Sequence, residues 1–250
     1  MDKPLILISN DDGYDAKGIN DLVEMVRKYG DVFVVAPDGG RSGAALSITS
    51  KDPVTVKLSK EEEGLTVYSC SGTPCDCVKM AFEKLLPRRP DLVLGGINHG
   101  DNSAVNVHYS GTMGVAIEAC MKGVNAIGLS SCKRESNASF EAMRPYIEQV
   151  VEQVLEKGLP KWTCLNLNAP ASDDFKGIKM CRMTYGEWTN EWEERKNPRG
   201  FTYYWLTGSF SGIDEENPDT DKWALNNGYI AVTPIKLDMT DYDLMDYLDK

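Results

Sequence analysis

Two short apolar runs, Pro4-Leu5-Ile6-Leu7-Ile8 and Val32-Phe33-Val34-Val35-Ala36, stand on either side of a segment in which Ile19, Leu22, Val23 and Val26 recur at helical spacing. Nothing else in the chain constrains the fold as strongly. Runs without polar alternation suit strands buried on both faces of a parallel sheet. The helical spacing gives an apolar stripe that packs on such a sheet, and Asp15 to Gly18 supply turn chemistry ahead of it. Together they form a β-α-β unit. The alternation continues with a strand-like pair at 53–58 and 65–70, a helix at about 74–86, a strand at 92–94 and a helix at about 110–122. A strand at 126–129, an amphipathic helix from Phe140 to about Leu155 and a strand at 164–167 follow. The expected class is α/β, with a doubly wound, mainly parallel sheet whose ligands gather beyond the carboxyl ends of its strands.

From about residue 176 the pattern changes. Strand-like stretches at 177–184 and 201–207 flank the polar segment 190–198, which implies a hairpin-like excursion without a helix. The chain is therefore expected to form one domain: a core over about 1–185, an excursion over about 186–212 and a C-terminal return over about 213–250. Phe201, Tyr203, Tyr204, Trp205 and Phe210 crowd into the excursion. They either meet a subunit partner or cap the core of their own chain.

Composition narrows the function. Among 250 residues, 42% hydrophobic and 26% charged are the proportions of a soluble globular protein. A net charge of −11, with no basic run interleaved with aromatics, argues against duplex nucleic acid as a partner. A small anionic substrate remains open, because a bound cation inverts the potential of a single cleft. The apolar stretch near the N-terminus is too short for a secretory signal and no run reaches spanning length, so no membrane partner is expected. Seven cysteines, an odd number, read as reduced thiols of a cytoplasmic protein. Cys75-Asp76-Cys77 is too closely spaced for a zinc pair, and only two histidines are present.

Three loops leave the expected ligand edge of the sheet. The first, Ser9-Asn10-Asp11-Asp12-Gly13, puts two carboxylates just past a buried strand, a costly place for charge unless a cation sits between them. Hard oxygen ligands favour Mg²⁺, Mn²⁺ or Ca²⁺. The plainer alternative is that Asn10 or Asp11 forms a turn and Asp12 caps a helix. The second loop, Pro37 to Ala44, is glycine-rich and lacks P-loop spacing; its Ser42 gains meaning only beside the other loops. The third region, Gly95-Gly96-Ile97-Asn98-His99-Gly100-Asp101-Asn102 followed by Tyr109-Ser110-Gly111-Thr112, carries amides and hydroxyls into a helix start that suits an anion, or merely an N-cap. Together the loops describe a metal-plus-phosphate pocket.

These residues also carry a resemblance. Ile8 to Tyr14 with Gly18-Ile19, then Val35 to Asp38 with Arg41-Ser42-Gly43, resemble the survival protein E family of 5′-nucleotidases. Gly72-Thr73-Pro74 with Asp76-Cys77-Val78, Gly96-Ile97-Asn98 with Gly100 and Asn102, and Tyr109 to Thr112 match the same family in order, through roughly the first half of the chain. The resemblance implies that Asp11, Asp12, Ser42 and Asn98 hold one divalent metal per subunit, Mg²⁺ or Mn²⁺. It implies that Asn102, Ser110, Gly111 and Thr112 line the phosphate site. A Rossmann-like core and an exchanged C-terminal hairpin that builds homodimers or homotetramers are also implied. Gly95 stands where the family often has serine, and Ala104 and Asn106 stand where glycine and aspartate are common.

The expected reaction is metal-dependent hydrolysis of nucleoside 5′-monophosphates, with Asp11 or Asp12 available to accept a proton from the attacking water. His99 and His108 stay outside the expected catalytic set. Two other readings remain open: a phosphatase with an aspartyl nucleophile, which usually carries Asp-x-Asp, and a nucleotide-binding regulator without turnover. The motifs do not choose among bases, between 5′- and 3′-nucleotides, or for or against short polyphosphate.

Overall fold

A computed structural model describes residues 3–135 and 137–248. The expected β-α-β start is present as β1 (Leu5–Ser9), α1 (Lys17–Val26) and β2 (Asp31–Pro37). The pair β3 (Val56–Glu62) and β4 (Leu65–Cys70) follows, then α2 (Pro74–Met80), β5 (Leu92–His99), α3 (Gly111–Met121), β6 (Asn125–Ser131), α4 (Arg144–Lys157) and β7 (Thr163–Ala169). The helix expected over about 74–86 ends earlier as an α-helix and finishes in a π turn at 81–85, and a 3₁₀ turn at 141–143 leads into α4.

After β7 come β8 (Ile178–Met180), β9 (Gly186–Thr189), β10 (Trp192–Lys196), β11 (Thr202–Leu206), β12 (Ser209–Gly212), α5 (Asp221–Asn226), β13 (Ile230–Lys236) and α6 (Tyr242–Leu248). The return expected over about 213–250 thus extends beyond the described residues at its last two positions.

The main sheet runs β3-β4-β2-β1-β5-β6-β7-β13-β8. Its six central strands from β4 to β7 are parallel, and β3 and β13 pair antiparallel with β4 and β7. From β1 the chain winds first towards β2 and β4, then returns to the other side of β1 as β5. The reversal places a crevice between the carboxyl ends of β1 and β5.

Period-two alternation explains the layers. Ile6, Ile8, Val32, Val34, Leu92 and Leu94 face α1 and α4, packing with Ile19, Leu22, Ile147 and Val151. Leu7, Val35, Val93 and Ala126 face the other way, onto Val78 of α2 and Val115, Ala116 and Ala119 of α3. The central strands are covered on both faces, which is why they read as continuous apolar runs.

The excursion departs from its expected form. Residues 190–198 are not a plain polar turn: Trp192–Lys196 is itself a strand, β10, paired antiparallel with β11. At its base β9 pairs with β12. The stretch 177–184 supplies only the short β8, which joins the main sheet beside β13 rather than the hairpin. Polar and charged residues in β10 hid the strand because both its faces are exposed, so no apolar alternation was required. The aromatics of β11 do not cap the core of their own chain: Tyr203, Tyr204 and Trp205 are 40–58% exposed and Phe201 is 68% exposed.

Candidate active site

The crevice between β1 and β5 opens into a cleft of about 730 Å³ lined by Asp11, Ser42, Asn98, Asn102 and Ser110, among others. Residues from separate parts of the sequence meet there because β1, β2 and β5 all end at this edge and α3 begins at it. Asp12, Gly111 and Thr112 adjoin that lining through Asp11 and His99. Thr112 donates its hydroxyl to Asp11 Oδ1 at 2.7 Å, and Asp12 Oδ2 lies 3.2 Å from Nδ1 of His99, which lines the cleft. At Gly111 a Cβ would come within 2.8 Å of the Asp11 Cβ, so glycine lets the helix start abut the carboxylate.

The local turn belongs to Asn10. Its amide group donates to the Gly13 carbonyl at 2.9 Å and accepts from the Gly13 N–H at 3.1 Å, while Gly13 takes a φ of 119°. Helix α1 begins at Lys17, has Ala16 at its N-cap and receives no side-chain cap. Asp11 and Asp12 therefore serve neither as turn former nor as cap, and their placement needs another reason.

Asp11 is 5% exposed, and among the described residues neither carboxylate pairs with a lysine or arginine. Burial pushes the Asp11 carboxyl up to about 6; the Thr112 hydroxyl holds it back, and the charge of Asp12 adds to the rise. A buried carboxylate beside a second one fits a cation. Among the described residues no three His, Cys, Asp or Glu side chains gather as a metal cluster. A cation here would be completed by neutral oxygens. Asn98 donates its Nδ2 to the Gly100 carbonyl at 2.7 Å, so Oδ1 is the atom it could offer a cation, and Ser42 could offer a hydroxyl. Two carboxylates, an amide oxygen and a hydroxyl suit a hard divalent ion such as Mg²⁺ or Mn²⁺.

The Ser42 loop is strapped to the site. Arg41 N–H donates to the Asp11 carbonyl at 2.7 Å, Thr49 N–H donates to both Asp76 oxygens at 3.1 Å, and Thr73 donates to the Ser47 carbonyl at 2.7 Å. Asn98 is aimed by a register shift between Gly95 and Asn98 where β5 pairs with β6. At Gly18 a Cβ would lie 2.0 Å from the Ile97 carbonyl, so α1 rests directly on that irregularity.

On the helix-start side of the crevice, Ser110 caps α3, accepting from the Met113 N–H at 2.9 Å. The first-turn N–H groups of α3 and its dipole favour an anion. Thr112 spends its hydroxyl on Asp11 and is fully buried, so its backbone N–H is what it offers an anion. Asn102 is pinned by a buried ladder: its N–H donates to Asn168 Oδ1 at 2.7 Å, its Nδ2 donates to Ser130 at 2.7 Å, and Asn166 donates to its carbonyl at 2.8 Å.

Sequence reasoning missed other residues of the cleft. Lys222 of α5 donates to Asp101 at 2.6 Å. Burial acts to raise the Asp101 carboxyl, but the Lys222 charge and hydrogen bond prevail and hold it below its usual range. Asp101 sat inside a motif already singled out, so it could have been found. Lys222 and Trp188 carry no local signal, whereas Phe210 stood out among the aromatics of the excursion but as a cap or subunit contact, not as a wall of the cleft. His99 packs its ring edge on Phe140 with centroids 5.0 Å apart, and holds Asp12 from the second flank of the crevice.

Comparison with known proteins extends this geometry. The family model described as survival protein SurE matches residues 6–190. A protein of Phocaeicola vulgatus named 5′-nucleotidase SurE is 55% identical over 247 residues, covering 99% of this chain and 96% of its own. One of Bacteroides thetaiotaomicron with the same name is 53% identical, covering 99% of this chain and 95% of its own. The crystal structure of the SurE protein from Aquifex aeolicus superposes with a TM-score of 0.83 at 37% identity, covering 99% of this chain and 100% of that one.

Proposed function

The chain belongs to the survival protein SurE family, and from that premise we propose that it is a 5′-nucleotidase that hydrolyses the phosphate ester of nucleoside 5′-monophosphates with a divalent cation. The observation that carries this reading is the buried Asp11 carboxylate, next to Asp12, without a lysine or arginine partner among the described residues and directly against the start of α3. Asp11, Asp12, Ser42 and Asn98 are the residues that would hold the metal. When bound there, a divalent ion supplies charge neutralisation for the transferring phosphoryl group and acidifies water. Ser110 and the first-turn amides of Gly111 and Thr112 orient the phosphate, with Asn102 held beside them. Asp12, exposed enough to meet solvent and tied to His99, is the better placed of the two carboxylates to accept the proton of the attacking water.

Mg²⁺ or Mn²⁺ is the proposed ion, on the hardness of the donor set. Two further parts of the reading rest on separate observations. The exposed aromatic surface of the β10–β11 hairpin supports a homodimer or homotetramer in which this arm reaches a neighbouring subunit. All seven cysteines are free thiols, which supports a reducing, cytoplasmic location, and among the described residues no helix is long and apolar enough to cross a membrane.

The test is phosphate release from a panel of nucleoside monophosphates with added Mg²⁺ or Mn²⁺, with and without chelator. Metal-dependent release is expected. Binding of nucleotide without turnover under every metal condition would turn the reading to a nucleotide-binding regulator.

A further inference from the structure

The cleft has two unlike ends. One is the carboxylate and helix-start end described above. The other is built by the β9–β12 ribbon at the base of the arm, where Trp188 and Phe210 line the cleft beside Leu206 and Glu191. An apolar wall that also carries a carboxylate is a poor place for a phosphate group. With the proposed cation at Asp11 and Asp12 and the start of α3 beside them, a phosphate ester lies with its phosphate at that end and the rest of the molecule towards this wall. The volume of about 730 Å³ falls within the roughly 300–1,000 Å³ typical of sites for molecules of drug size.

The wall is fixed before any ligand arrives. Trp188 Nε1 donates to Asn106 Oδ1 at 2.9 Å, which sets the orientation of the indole. The Trp188 and Phe210 rings meet edge to face, with centroids 6.3 Å apart and planes at 68°. Gly186 leaves room for this arrangement, since a Cβ there would come within 2.5 Å of Phe210 Cζ. Lys222 Nζ, already bonded to Asp101, stands 5.3 Å from the Phe210 centroid. Lys222 thus stands over the Phe210 ring, whereas among the described residues no cation stands over Trp188, and Trp188 is the ring more open to a ligand. Both rings are half-buried, unlike the exposed aromatics of β11.

We propose that Trp188, backed by Phe210, is the stacking platform for the nucleobase of the substrate. This deepens, and rests on, the nucleotidase reading above. A single aromatic face accepts any base because every base has a π face, so the platform confers a preference for base-bearing phosphate esters over bare sugar phosphates without selecting one base sharply. Purines, with the larger ring area, gain more than pyrimidines.

The experiment compares kcat and KM for AMP and for ribose 5-phosphate, which keeps the ester and the sugar but has no base, in the wild type and in Trp188→Ala, Trp188→Leu and Trp188→Phe. The wild type is expected to favour AMP. Trp188→Ala is expected to lower the AMP-to-ribose-5-phosphate ratio of kcat/KM by roughly 5- to 100-fold, mainly through KM for AMP. Trp188→Phe retains most of the ratio, and Trp188→Leu, which fills the space without a π face, loses it; this variant keeps the test decisive should the alanine variant fail to fold by circular dichroism. An unchanged ratio in a folded alanine or leucine variant, or a phenylalanine variant as impaired as the leucine one, overturns the platform. Equal efficiency of the wild type on both substrates overturns the platform alone, whereas hydrolysis of neither overturns the nucleotidase reading and the platform with it.

Discussion

Asp11 sits where binding a cation and folding without one make opposite demands. Its carboxyl is pushed from an ordinary 3.8 up to about 6 by burial. Below the unfolded value both states are neutral and the residue costs the fold nothing. As pH rises past that value the unfolded chain releases its proton while the folded one retains it, so stability falls, and above about 6 the penalty is complete. In chelator-treated protein Asp11→Asn should therefore raise the melting temperature at pH 8, by the equivalent of on the order of 2–3 kcal/mol, with the gap closing towards pH 4. Thermal melts of both proteins across that range check the sign; a less stable asparagine variant at pH 8 would contradict it. The same substitution, and Asp12→Asn, should cost more than about a hundredfold in metal-dependent turnover, since each would delete a charge from the proposed cation site with little change in volume. Ser42→Ala and Asn98→Ala would remove the proposed neutral ligands and should instead raise the metal concentration needed for half-maximal activity. Asp11 and Asp12 were legible in the sequence because charge after a buried strand is expensive. Which of them Thr112 and His99 would hold was not, because those partners lie 101 and 87 residues away.

At the scale of elements, the close approach of α3 to the Ser42 loop makes a sharp test. A Cβ at Gly114 would lie 2.4 Å from the Ala45 carbonyl. Gly114→Ala should push that loop away from Asp11 and weaken metal activation more than it weakens the fold, a difference seen by comparing metal titrations of activity with the melting temperature. Gly95 meets the same helix: a Cβ there would come within 2.4 Å of the Thr112 carbonyl, so the serine that the family often carries would need α3 to shift. The arm is a separate element, exposed on both faces. Replacing residues 190–207 by a two-residue Asn-Gly turn joins Thr189 to Gly208 and keeps β9 and β12, hence Trp188 and Phe210. Light scattering should then report a smaller oligomer than the intact protein. An unchanged oligomer would show that the exposed aromatics of β11 do not reach a neighbouring subunit.

The whole molecule is a sheet whose winding direction reverses at β1, and that reversal is what gathers the loops after β1, β2 and β5 around one cleft. Its overall charge of −11 works against an anionic substrate, so the proposed cation would serve both the chemistry and the local potential. Excess EDTA should abolish turnover, and Mn²⁺ or Mg²⁺ should restore it better than Ca²⁺, whose larger and looser shell organises an in-line displacement less well. Undiminished phosphate release in exhaustively chelated protein would remove the metal from the reaction.

Local pattern determined a good deal of this protein. Continuous apolar runs and helical spacing required buried parallel strands with helices on both faces, because the period of burial is written residue by residue along each element. The carboxylates, amides and hydroxyls at strand ends followed from the same reading, since a doubly wound sheet brings those ends to one edge. Tertiary packing decided the rest. Trp188 on Asn106, Lys222 on Asp101 and Asp221 on the Ala104 N–H join positions 82, 121 and 117 residues apart. No local period encodes such pairs, because their energy exists only once β9 and α5 have docked against the loops after β5. The strand β10 escaped notice for the complementary reason: with both faces in solvent within one chain, nothing in its own environment required it to alternate.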